Sequence, residues 1–115
     1  MQEMIKKVFE LSRGQTNTLP VLARNAKLME ETGEFSQALL YKLGYLPHKN
    51  VEEPLIGETA DVLLCVLDTL ASAYPENTPE ELQQMLLEQL EKKSKKWEKV
   101  MKIRSDIVTT EKVVV

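Results

Sequence analysis

Between Pro54 and Pro75 lies a segment that a small protein cannot leave in water on every side. Placed at about 100° per residue, Glu58, Asp61, Cys65, Asp68 and Ser72 fall on one narrow helical stripe. Ile56, Val62, Leu63, Leu64, Val66, Leu67, Leu70 and Ala71 fill most of the remaining circumference, and a helix that apolar is buried on several sides. It opens at Pro54 and ends before Pro75, because proline disfavours helical geometry in the residue preceding it. Ionised acids on such a helix must be paired, protonated or bound to a metal, since an unpaired buried charge is costly. A chain of 115 residues offers little surface to cover this helix all round, so a homo-oligomer is expected, with this helix in the interface and the acid stripe lining a cleft.

A second acid pair lies upstream. The spacing predicts a helix from about Leu19 to Lys42, with Thr18 as its cap, Pro20 in its first turn and Gly44 as its stop. Leu22, Ala26, Met29, Ser36, Leu40 and Leu43 share one side of it, and Leu28, Phe35 and Leu39 widen the apolar arc. Glu31 and Glu34 fall almost opposite Met29, between Lys27 and Ala38, which places them on a surface or at the edge of a cleft. Alone, such a pair is ordinarily a solvated face. Two pairs on neighbouring helices are different. Residues three apart project the same way, and two unit charges about 4 Å apart repel by roughly 4 kcal/mol at an effective dielectric near 20. A hard divalent cation removes that repulsion, and carboxylate oxygens suit Mg²⁺, or Mn²⁺ as its substitute. Mg²⁺ typically takes its remaining ligands from water and substrate phosphates, which points to phosphate-ester or anhydride chemistry.

The other elements are also helical. Residues 2 to 12 place Met4, Ile5, Val8 and Phe9 at helical spacing. After the connection 45–53, whose His48 is expected to be solvated, and the helix already described, T-P-E-E starts a fourth helix. Thr78 caps it, Pro79 takes the first helical position and Glu81 closes a capping box. Its stripe is Leu82, Met85, Leu86, Leu90, Trp97, Val100 and Met101, interrupted by Lys93 at an inward-facing position, with Lys96 on the same face. Two ammonium groups beside an indole suit a phosphate and a base. Lysines snorkelling past a core tryptophan suit the pattern equally. The tail 106–115 has no clear period, and its composition leaves its conformation open.

Few glycines and aromatics agree with an all-α chain, and the length with a single domain, set here at 1–105. The lone Cys65 cannot form an intrachain disulfide, which suits a reduced, cytoplasmic setting. MQEMIKKVFEL lacks the apolar core of a secretory signal, and the longest apolar run, Val62 to Leu67, is far too short for a membrane span. A net charge of −3 argues against a general nucleic-acid binder, although Glu91 to Arg104 holds seven basic residues against two acids.

The order E-E-x-x-E (Glu30, Glu31, Glu34), a gap of 23 residues, then E-x-x-D (Glu58, Asp61) resembles the MazG-like nucleoside triphosphate pyrophosphohydrolases, a superfamily that includes the dimeric dUTPases and dCTP pyrophosphatases. L-M-E-E-T-G-E-F, G-E-T-A-D-V-L-L and L-E-K-K-S-K-K-W also look like family phrases, so the resemblance covers about residues 20 to 101. It implies a four-helix bundle assembled as a homodimer or dimer of dimers, with Mg²⁺ held by Glu31, Glu34, Glu58 and Asp61. It implies cleavage of a nucleoside triphosphate between the α and β phosphates, giving the monophosphate and pyrophosphate, as in house-cleaning of the nucleotide pool. Glu34 would orient the attacking water as the catalytic carboxylate, Lys93 and Lys96 would contact phosphates, and Trp97 would stack on the base. Many members carry an asparagine and an arginine further along the fourth helix, where this chain has Ser94 and lysines. That departure leaves the phosphate and sugar contacts open.

Two rivals share the pattern of helical carboxylates. A di-iron bundle uses two E-x-x-H motifs, which a chain whose only histidine lies off the helices does not supply. A non-catalytic adaptor, with structural acids and a basic fourth helix that binds a partner or nucleic acid, stands as the alternative.

Overall fold

The computed structural model describes residues 1–14, 18–46 and 53–114, and His48 lies outside them. They form four helices and no strand: α1 (Gln2–Ser12), α2 (Val21–Lys42), α3 (Leu55–Ala73) and α4 (Pro79–Val114). The all-α expectation holds, as do the four elements and their order.

A small core joins three of the helices at one end of the molecule. α1 turns Ile5, Val8 and Phe9 inward, whereas Met4 is exposed. Ile5 and Phe9 meet Ala71 near the end of α3 and Leu82 in the first turn of α4, with Leu67, Leu70, Leu86 and Leu87 packed around them. Each large apolar side chain buried there contributes about 1.5–3 kcal/mol. Arg13, just past α1, donates to the carbonyls of Ala71 (3.2 Å), Tyr74 and Asn77, which caps the orphan carbonyls at the end of α3.

α2 and α3 form an antiparallel hairpin, with Arg24 beside Asp68 at one end and Glu34 beside Glu58 at the other. Along α2 the inward residues are Arg24, Leu28, Glu31, Phe35 and Ala38, alternately four and three apart, the spacing of a seam between two helices. Arg24 is buried and donates to Ser12 Oγ (2.8 Å) and Asp68 Oδ1 (2.9 Å), and Ser12 Oγ donates to Asp68 at 2.5 Å. This network ties α1, α2 and α3 together.

The termini of α2 follow local chemistry, with one correction at the start. Thr18 does not cap α2: the N-cap is Pro20, without a side-chain hydrogen bond, and the helix begins at Val21. At the far end Gly44 adopts φ 85°, and the amides of Gly44 and Tyr45 reach back to the carbonyls of Tyr41 (3.0 Å) and Leu40 (2.9 Å). That pair of bonds is a Schellman stop, which favours glycine in the left-handed position. The capping box of α4 is as expected, with Glu81 N–H donating to Thr78 Oγ1 (3.1 Å) and Thr78 N–H to Glu81 Oε1 (3.4 Å).

α4 departs most from expectation. Its helix runs through the tail to Val114, yet every residue from Glu88 to Val108 is exposed. Lys93 is therefore not inward-facing within one chain. The radius of gyration, 18.8 Å, exceeds the roughly 13 Å of a compact chain of this length because this rod projects from the rest.

Candidate metal centre

Where α2 and α3 face each other beyond Cys65, five carboxylates converge. Glu31, Glu34 and Glu58 each offer an oxygen within 4.8 Å of the others, and Glu53, Glu58 and Asp61 form a second such group. Oxygens bound to one Mg²⁺ at about 2.1 Å lie at most about 4.2 Å apart, so a slight tightening brings either group to coordination distance. Glu58 belongs to both. The four acids expected from the sequence thus come together, but as two overlapping groups rather than one.

Burial makes the cluster chemically tense. Glu31 and Glu58 are each 7% exposed, and the Oε2 atom of each is buried without a hydrogen-bond partner. A buried, unpartnered carboxylate oxygen forfeits its hydration with nothing in return. Lys27 satisfies the other Glu31 oxygen at 3.0 Å, and that bond raises the Lys27 pKa. Among the described residues no cation reaches Glu58.

The proton affinities carry the same signature. Burial pushes the Glu58 carboxyl above its ordinary value, and Glu34, Glu53, Asp61 and Glu31 push it further. The Glu31 charge raises Glu34, and the Asp61 charge raises Glu53. These carboxylates resist ionising together, as like charges sharing a site do. A divalent cation reverses that, so the donor set fits a hard, oxygen-ligated ion. Cys65 is half-buried nearby, and burial, reinforced by Glu31, raises its thiol pKa, which disfavours the nucleophilic thiolate.

Glu53 is the member that helical periodicity missed, because it precedes Pro54 in a connection. The available signal was Gly57, a helix-weakening residue in the first turn of an otherwise apolar helix. An ideal Cβ at Gly57 would stand 3.0 Å from Glu53 Oε1 and 3.1 Å from its Cδ.

The basic residues are elsewhere. Lys93, Lys96 and Trp97 lie on the exposed rod of α4, with Trp97 66% exposed, and within one chain nothing brings them to the acids. A separate cleft of about 370 Å³ between the end of α1 and the start of α2 contains Arg13 and Arg24. Both guanidinium groups are committed, Arg13 to the carbonyls ending α3 and Arg24 to Asp68 and Ser12.

No helix among the described residues is long and apolar enough to cross a membrane. No protein-family model, curated protein or solved structure matches the chain.

Proposed function

We propose that the chain is a Mg²⁺-dependent nucleoside triphosphate pyrophosphohydrolase of the MazG-like type, cleaving its substrate to a monophosphate and pyrophosphate. The observation that supports this most is that Glu31 and Glu58, both members of the acid cluster, each carry a buried oxygen without a hydrogen-bond partner. Bound Mg²⁺, with Mn²⁺ as substitute, would neutralise phosphate charge and lower the pKa of water. Glu31, Glu34, Glu58 and Asp61 would supply the carboxylate ligands for one or two such ions. Glu34, the exposed member of its group, would orient the attacking water in this assignment. Lys27 holds Glu31 in place through the 3.0 Å ion pair.

The assignment extends to a homo-oligomer, a dimer or dimer of dimers. Leu22 and Met29 on α2 are 83% and 64% exposed, Ile56 and Leu63 on α3 are 78% and 52% exposed, while Glu31 and Glu58 between these helices are buried. A hairpin with its charges inside and its aliphatic residues outside calls for a second copy over the apolar faces. Such a copy also supplies the missing route by which Lys93, Lys96 and Trp97 reach a substrate.

A second reading is favoured by the projecting α4, whose exposed basic stretch suits an adaptor that grips an acidic partner. Pyrophosphate release separates the two. A panel of canonical and modified nucleoside triphosphates with Mg²⁺ should include at least one that yields monophosphate and pyrophosphate, with activity falling at least about 100-fold in Glu58→Gln, the scale of losing one preorganised electrostatic contact. Inactivity across the panel favours the adaptor.

A further inference from the structure

We infer that Glu53 is a fifth carboxylate of the site and that, with Glu58 and Asp61, it holds a second divalent cation beside the one held by Glu31, Glu34 and Glu58. This presupposes the cation-binding role proposed above. The geometry is that of the second carboxylate group, whose three oxygens lie within 4.8 Å of one another. Glu58, 7% exposed and with an unpartnered Oε2, belongs to both groups and is the carboxylate that two ions would share.

Gly57 provides the seat. Glu53 folds back over the first turn of α3, and its carboxyl occupies the space beside Gly57 where any other residue would carry a side chain. Gly57 has no positive φ to account for it, and glycine weakens a helix relative to alanine. Its use here is close approach. An added Cβ would displace the Glu53 carboxyl rather than the helix, because the atoms it meets are the end of a flexible side chain.

Charge balance agrees. Among the described residues, the five carboxylates are met by one ammonium, that of Lys27, which pairs with Glu31 and is shared with Glu30. One divalent ion leaves an excess of negative charge, and a second removes it.

The test counts Mn²⁺ bound to the full-length chain, by calorimetry and by loss of the free-ion paramagnetic resonance signal, without nucleotide. Wild type should bind two ions per chain and Glu53→Gln one, with helical content unchanged. Gly57→Ala should keep the first ion and weaken the second about 10-fold, the scale for disturbing a ligand's support. Two ions in Glu53→Gln, or unchanged second-ion affinity in Gly57→Ala, would overturn the assignment. A wild type that binds one ion, lost in Glu31→Gln and kept in Glu53→Gln, overturns the role of Glu53 alone. A wild type that binds none overturns both this inference and the cation-binding role beneath it.

Discussion

At the scale of the residue, Glu58 is the group on which the site turns. Its carboxylate is buried, shared between two groups of acids and short of a partner, so its replacement should be tolerated by the fold and not by the function. Differential scanning calorimetry of metal-free Glu58→Gln should show a melting temperature equal to or above that of wild type. The pH dependence has a definite sign. Glu58, Glu34 and Glu53 all have carboxyl pKa values raised in the folded state, so between the ordinary glutamate value and the raised ones the folded chain binds more protons than the unfolded. Stability from these groups is fully present below the unfolded value and is lost as pH rises through the folded values. Melting of the metal-free protein should therefore move upward as pH falls through the raised carboxyl values toward the ordinary glutamate value, and saturating Mg²⁺ should flatten that slope. Glu80 and Glu81, whose pKa values are lowered by backbone hydrogen bonds, act in the opposite sense but only below the ordinary range. Four of the five acids were legible in the sequence because helical spacing places them on common faces. Glu53 was not, since its position depends on how a connection folds back over a glycine.

Among the elements, termini and seams decide the outcome. The capping box of α4 was readable because T-P-E-E specifies its own hydrogen bonds within four residues. Thr78→Ala should cost about 1 kcal/mol of stability in chemical denaturation, the usual loss for a threonine cap. The start of α2 was misread because Pro20 takes the cap position without help from Thr18. The seam between α2 and α3 was hidden for a different reason. An apolar arc through Leu22, Met29 and Leu40 suggests which side of α2 seeks cover, yet within one chain Arg24, Glu31 and Ala38 are the buried residues. A buried ion pair and a buried acid, Arg24 with Asp68 and Glu31, share that face with Leu28, Phe35 and Ala38, so apolar periodicity alone does not mark it. Arg24→Met should lower stability by up to about 3 kcal/mol, somewhat less than for a fully buried pair because Asp68 keeps 31% of its side chain exposed.

For the whole molecule, the buried apolar core is small and confined to one end, while the aliphatic faces of α2 and α3 and the stretch of α4 from Glu88 to Val108 stand open. Sedimentation analysis should give a mass at least twice that of one chain, and Met29→Glu combined with Leu63→Glu should shift it toward the monomer. Periodicity along α4 turns Lys93 and Trp97 inward, yet among the described residues nothing in the single chain covers them. The cation remains the centre of the account, and thermal unfolding with and without Mg²⁺ tests it most directly. An ion that binds only the folded chain raises stability by about 2.7 kcal/mol at a hundredfold excess over its dissociation constant. Wild type should melt at a clearly higher temperature with Mg²⁺ and Glu58→Gln should not. Identical melting of wild type with and without the ion, under conditions that keep its helices intact, would contradict the account.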